Sequence, residues 1–155
     1  MRVIAGEFRS RRLKTLPGLS LRPTPDRLRE ALFNVLAPRI EGCLFLDAYA
    51  GCGAAGIEAL SRGARQAIFI EKHQAAVAVI HENLRSLGLE SRATVVWGKA
   101  AAFLARFRPD IVFLDPPYNA EGEYEEALNT LGRTPPRLVI AQHASRFELK
   151  ESYGC

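Results

Sequence analysis

From residue 44 onward the hydrophobic positions fall into two alternating patterns. Short continuous apolar runs at 44–48, 67–71, 93–97, 110–114 and 137–141 are rich in β-branched and aromatic residues, the signature of strands buried on both faces. Between them lie stretches at 54–61, 73–87, 100–107 and 121–131 with apolar residues at helical spacing. Gly88 is the expected stop of the second of these helices. Strands alternating with helices predict a parallel sheet with right-handed crossovers. Ahead of it the pattern is different. Residues 2–5 and 11–16 read as a hairpin around Gly6-Glu7-Phe8-Arg9, and Leu28, Ala31, Leu32, Val35 and Leu36 as the apolar face of a helix. Thr24 and Pro25 suit the start of that helix, and Pro38 its end.

The 155 residues fit one domain, with 1–38 as a basic hairpin-and-helix extension and 39–155 as the core. No apolar run is long enough to span a bilayer and the N-terminus lacks the apolar stretch of a signal peptide, so a cytoplasmic protein without membrane contact is expected. Cys43, Cys52 and Cys155 form no CxxC pair, which gives neither a disulfide framework nor a structural zinc site. His73, His81 and His143 are scattered, and no metal is expected. Trp97 is expected in the core. The acidic residues Glu121, Glu123, Glu125 and Glu126 read as a solvated helix start.

Charge changes the picture at one end only. Residues 1–30 carry eight basic and three acidic side chains, a balance of +5, while the remainder sums to −1. Arg2, Arg9, Arg11, Arg12, Lys14, Arg22 and Arg27 are therefore the candidate contacts for a polyanion, and nucleic acid is the usual one.

Two motifs carry chemistry. Gly51-Cys52-Gly53-Ala54-Ala55-Gly56 lies between the first strand and its helix, and Glu71 follows at the end of the second strand, placed for ribose hydroxyls. A nicotinamide dinucleotide is the literal reading of that motif. Asp47, four residues before Gly51, opposes it, because a carboxylate facing the turn repels a pyrophosphate. S-adenosylmethionine, which has a cationic amine, a sulfonium and a ribose but no phosphate, fits better. The second motif is Asp115-Pro116-Pro117-Tyr118, at the carboxyl end of the fourth strand, where open α/β sheets bind ligands. It offers hydrogen-bond acceptors and an aromatic ring, with no nucleophile and no metal ligand set. That combination suits an amine on a nucleobase.

With these motifs the chain resembles class I S-adenosylmethionine methyltransferases acting on exocyclic amines. It resembles more narrowly the bacterial RsmD family, which methylates guanine N2 in 16S ribosomal RNA. The residues that carry the narrower resemblance are Met1–Gly6, Arg11–Lys14, Arg22-Pro-Thr-Pro-Asp-Arg27, Arg29-Glu-Ala-Leu-Phe-Asn34, Leu46–Gly53, Glu58–Ala64, Glu71-Lys72 and Leu114–Tyr118. The resemblance implies a Rossmann-like three-layer α/β fold with a mostly parallel sheet in the order 3-2-1-4-5. It implies S-adenosyl-L-methionine held by Thr24, Asp47, Ala48, Tyr49, Ala50, Gly51, Gly53, Glu71, Lys72, Lys99, Ala100 and Asp115, and catalysis by Asp115, Pro116, Pro117 and Tyr118. The implied partner is 16S ribosomal RNA, within the small subunit or an assembly intermediate, met by a monomer. Tyr49 and Cys52 stand where the family has Phe and Ser. Lys99 stands where an Asp accepts from the adenine amino group, a bond lysine cannot accept. The family also continues with two more strands, so the C-terminal hairpin is expected to be truncated here. An amine methyltransferase acting on another RNA or on DNA, an NAD-dependent oxidoreductase and a non-catalytic RNA-binding module remain as alternatives.

Overall fold

The computed structural model describes residues 1–17, 26–117 and 121–154. Arg22, Thr24 and Tyr118, along with the start expected for the first helix, lie outside the described residues. The elements run α1 (Asp26–Ile40), β1 (Leu44–Asp47), α2 (Ala54–Ser61), β2 (Gln66–Glu71), α3 (Gln74–Leu87), β3 (Ala93–Trp97), α4 (Ala100–Phe103), β4 (Ile111–Leu114), α5 (Glu121–Arg133) and β5 (Leu138–Ala141). The strands form one parallel sheet in the order β3-β2-β1-β4-β5. The alternation predicted the parallel sheet and the family resemblance implied this order, which puts β1 at the centre with β2 and β4 beside it.

Successive residues of each strand face opposite layers. Phe45 and Phe69 pack with Phe33, Ile57 and Ile80 on the side of α1, α2 and α3. Leu46, Ile68, Ile70, Val112 and Leu114 pack with Leu104 and Leu131 on the side of α4 and α5. Two cores sharing one sheet is the physical content of three layers. After β5 the described residues hold no further strand. The segment beyond it folds back on α5, where the Tyr153 carbonyl approaches so closely that a β-carbon on Gly132 would sit 2.1 Å from it.

The N-terminal segment is held by buried polar side chains on α2 and α3. Glu58 is fully buried, and its carboxylate accepts from the Ile4 amide at 2.8 Å, the Ala5 amide at 3.1 Å and Arg62 Nε at 2.8 Å. Ser61 donates to the Ala5 carbonyl at 2.6 Å and accepts from the Phe8 amide at 3.0 Å. Asn83 accepts from the Lys14 amide at 2.8 Å and donates to the Lys14 carbonyl at 3.1 Å and the Cys52 carbonyl at 3.0 Å. The extension is thereby an integral part of the molecule.

Five expectations need correction. The expected hairpin reduces to one antiparallel bridge, Arg2 with Arg12, because the backbone groups of Ile4, Ala5 and Phe8 bond to α2 instead of to a partner strand. The buried ridge of α1 is Arg29, Phe33, Leu36 and Ile40, while Leu28 and Val35 are exposed. The helix is turned because Arg29 finds partners inside: its Nη2 donates to the Arg2 carbonyl and to Asp26, and its Nε lies 3.9 Å from Glu58. Pro38 does not end α1, which continues to Ile40, since an exposed last turn tolerates the lost bond. The expected 100–107 helix is one α turn that tightens into a 3-10 turn at Leu104–Arg106. Trp97 is exposed, not core, because it is the last residue of an edge strand.

Glu58→Ala removes the central carboxylate of a buried charged network and leaves Arg62 without its ion-pair partner and Arg29 with Asp26 alone, a loss of about 3 kcal/mol. Urea denaturation should show it, and a change below about 1 kcal/mol would mean that the extension is held by other contacts.

Candidate active site

The carboxyl ends of β1, β2 and β4 converge through backbone hydrogen bonds. The Ala48 amide donates to the Phe113 carbonyl at 3.1 Å, tying the chain after β1 to β4, and the Ala50 amide donates to the Ile70 carbonyl at 3.0 Å, tying it to β2. Asp47, Glu71 and Asp115 are thus carried to one rim, and the field of each acts on Asp47. On the far side of β2 the Gly98 amide donates to the Glu71 carbonyl at 2.9 Å, which brings Lys99 and Ala100 to the same rim.

Gly51 and Gly53 take left-handed φ values of 57° and 89°, and Gly53 is the N-cap of α2. The third glycine has another role. A β-carbon on Gly56 would lie 2.3 Å from the Phe69 ring, so only glycine lets α2 approach β2 this closely. The turn keeps the N-terminus of α2 low over the sheet.

Asp47 is 1% exposed, and its Oδ1 has no hydrogen-bond partner. Burial, then the charge of Asp115 and that of Glu71, push its carboxyl up from 3.8 to about 7, against hydrogen bonds from the Gly56 and Tyr49 backbone. An orphaned, buried carboxylate oxygen is costly on its own. It fits a ligand that brings an ammonium, and not one that brings a pyrophosphate. Glu71 is also buried and accepts from the His73 amide at 3.5 Å, with His73 Nδ1 3.6 Å from the same oxygen.

Tyr49 is half-buried and held by a hydrogen bond to Glu123 of α5; burial and that carboxylate raise its hydroxyl well above its ordinary value. Glu123 is therefore part of the wall, not only a solvated helix start. Ala48 and Ala50 are buried within the turn. In the Asp-Pro-Pro segment, Asp115 is half-buried, Pro116 buried and Pro117 exposed. Lys72 and Lys99 are exposed, and Ala100 is buried at the first turn of α4. Cys52 is no nucleophile in waiting: burial raises its thiol, and its Sγ lies 3.6 Å from Met1 Sδ.

Among the described basic candidates, Arg2, Arg9, Arg11, Arg12, Lys14 and Arg27 are all exposed. Arg11 donates to the Ser86 carbonyl at 3.0 Å and Lys14 pairs with Glu82 at 2.5 Å, so the segment they sit on lies along α3. Asn83 ties this segment to the glycine turn. Sequence reasoning missed Asn83, and it named Arg29, Glu58 and Ser61 within motifs without seeing their roles. A glutamate inside the otherwise small and apolar run Ala54–Ser61 was the available signal.

A parallel sheet in the order 3-2-1-4-5, a glycine turn after β1 and carboxylates at three strand ends define the Rossmann-like fold of the class I methyltransferases. The sequence pattern of the family described as Conserved hypothetical protein 95 matches residues 1–155. The chain belongs to this family, the RsmD family of its sequence resemblance. It is 37% identical to YlbH of Bacillus subtilis (strain 168) over 166 residues, covering 99% of this chain and 88% of that protein. It is 44% identical over 133 residues to the ribosomal RNA small subunit methyltransferase D of Escherichia coli (strain K12), covering 84% of this chain and 66% of that protein, just under two thirds of its length. Among solved structures, the Escherichia coli protein yhhF superposes with a TM-score of 0.83 at 39% identity, covering 97% of this chain and 86% of that one.

The charge on Asp47 sets a pH dependence. Unfolded, the carboxyl loses its proton near pH 4; folded, near pH 7. Between these the unfolded state binds fewer protons, so stability falls as pH rises through the window and levels off above it. Asp47→Asn removes that fall and gains up to about 4 kcal/mol at pH 8 relative to pH 4. Denaturation of both proteins from pH 4 to 8 reads it, and parallel curves would refute the shift.

Proposed function

We propose that the protein transfers a methyl group from S-adenosylmethionine to the exocyclic N2 amine of a guanine in small-subunit ribosomal RNA. The observation that carries this is the orphaned, buried Asp47 oxygen beside Asp115 at the central strand ends, on a glycine turn. Support for ribosomal RNA as the substrate comes from the similarity to the Escherichia coli enzyme, and the basic extension supplies the matching charge.

In this reading Asp47 receives the amino group of S-adenosylmethionine, the turn at Gly51 and Gly53 gives it room, and Glu71 accepts from the ribose hydroxyls. The backbone at Lys72 and Ala100 flanks the adenine, which leaves the Lys99 ammonium free of a role it cannot fill. Thr24 is carried over from the family resemblance as a further cofactor contact. The bound cofactor supplies an electrophilic methyl on sulfonium.

The guanine amine is a poor nucleophile, because its lone pair is delocalised into the ring. Asp115 and the Pro116 carbonyl accept from its two hydrogens and favour a pyramidal nitrogen, with the lone pair turned toward the methyl. Tyr118 stacks on the base. The acceleration comes from positioning and fixed dipoles. A paired base cannot enter, so the target nucleotide is unpaired or flipped. Arg2, Arg9, Arg11, Arg12, Lys14, Arg22 and Arg27 hold phosphates, which positions the RNA without reading the base.

Labelled methyl transfer into small subunits lacking the mark should yield N2-methylguanosine on nucleoside analysis; a different methylated nucleoside sinks the guanine assignment. Asp115→Ala should abolish transfer while calorimetry still detects cofactor binding, and parallel loss of both would make Asp115 a cofactor residue alone. Binding an ammonium beside Asp47 favours its ionised form, so cofactor affinity should rise from pH 5.5 toward about 7. An affinity flat across that range contradicts the Asp47 contact.

A further inference from the structure

The chain has one tryptophan, and it is on the surface. Trp97 ends the edge strand β3 and is 59% exposed. It is nevertheless fixed. Its Nε1 donates to the Lys72 carbonyl at 3.1 Å, and the next residue, Gly98, is bonded to the Glu71 carbonyl. In register it stands beside Glu71. By strand alternation its side chain falls on the face of Ala93 and Val95, the α3 side, and so leans over the connection from β2 to α3. Lys72, whose carbonyl holds the indole, and Lys99, two residues on in the chain, are both exposed and neither is ion-paired among the described residues. A fixed aromatic face with two uncommitted cations on the neighbouring loops matches the chemistry of a nucleotide.

Which base it meets follows from spacing. β3, β2, β1 and β4 lie side by side, so at about 4.8 Å per strand Trp97 stands roughly 14 Å from Asp115. It is too far to touch the target amine. We propose that Trp97 is a stacking platform for an unpaired RNA base neighbouring the target nucleotide, with the Lys72 and Lys99 ammonium groups on the adjoining phosphates. This rests on the RNA-methyltransferase reading and adds to it a contact separate from the basic N-terminal segment.

Because Trp97 is the sole tryptophan, its fluorescence reports contact directly. The probe is a short single-stranded oligoribonucleotide, titrated with S-adenosylhomocysteine present, alongside undermethylated small subunits. The RNA should quench the indole. Trp97→Ala should weaken RNA binding about tenfold, raise KM for the subunit and leave kcat and cofactor affinity unchanged, while Trp97→Phe retains most of the affinity. Matching melting temperatures exclude a folding defect, and if the alanine variant fails to fold the phenylalanine variant and the quench decide. Quenching by S-adenosylhomocysteine alone, with cofactor affinity lost in Trp97→Ala, makes Trp97 a wall of the adenine pocket and overturns the platform. RNA affinity unchanged in Trp97→Ala with wild-type transfer intact overturns the platform and leaves the enzymatic reading standing. No transfer and no RNA binding by the wild type overturns both.

Discussion

One buried carboxylate organises the contact between the basic extension and the catalytic core. Glu58 stands in the middle of α2, where a small apolar residue would pack as well against the sheet. Instead it takes two backbone amides from the N-terminal segment and the guanidinium of Arg62, with Arg29 of α1 alongside. Burying that charge costs several kcal/mol unless each lone pair finds a donor. The same bonds that satisfy Glu58 therefore dictate where residues 4 and 5 must lie. They also explain why the exposed arginines of the extension stand on a fixed surface; Arg29 of α1 joins through its Nη2 bonds to the Arg2 carbonyl and Asp26 and an ion pair with Glu58 at 3.9 Å, while its Nε and Nη1 make no hydrogen bond. Such a network stabilises the docked arrangement by penalising every alternative in which the carboxylate is dry and unpaired.

A second constraint acts at the opposite end of α2. The fold gathers three carboxylates at neighbouring strand ends and leaves one of them, Asp47, with an unmatched oxygen in a water-excluded site. That arrangement works against stability in the unliganded protein and in favour of a cationic ligand. The strain is held in place by the bonds from Ala48 to β4 and from Ala50 to β2, which are the ordinary bonds of the sheet continued by one residue. Asn83 then joins the glycine turn to the basic N-terminal segment with a single amide. The glycine turn, the strand-end carboxylates and the basic segment are in this way connected through α2 and α3.

Much of the core was legible in the order of residues. Five apolar runs with helical spacing between them specify a parallel sheet, because such runs can be buried only when helices cover both faces. Glycine at 51, 53 and 56 and the carboxylates at 47, 71 and 115 are local features of strand ends, so their placement followed once the strands were recognised. The extension was not legible in the same way. Its hairpin pattern gave way to pairing with side chains from α2 and α3, more than fifty residues distant, and nothing local announces such a partner. The face of α1 was misplaced for the same reason: hydrophobic periodicity counts Leu28 and Val35 as inside and Arg29 as outside, whereas the ion pairs at Arg29 decide the rotation.

By itself, then, the chain determined the parallel strands and the chemistry at their ends, since these depend on residue type and short-range spacing, while the order of the strands came from the family resemblance. Only the tertiary structure decided how the charged groups are partnered. It buried Glu58 and Arg29, left Asp47 without a hydrogen bond to one oxygen, and put the sole tryptophan at the edge of the sheet with its indole outward. Each of these is a balance between desolvation and a specific partner, and that balance exists only once distant segments have met.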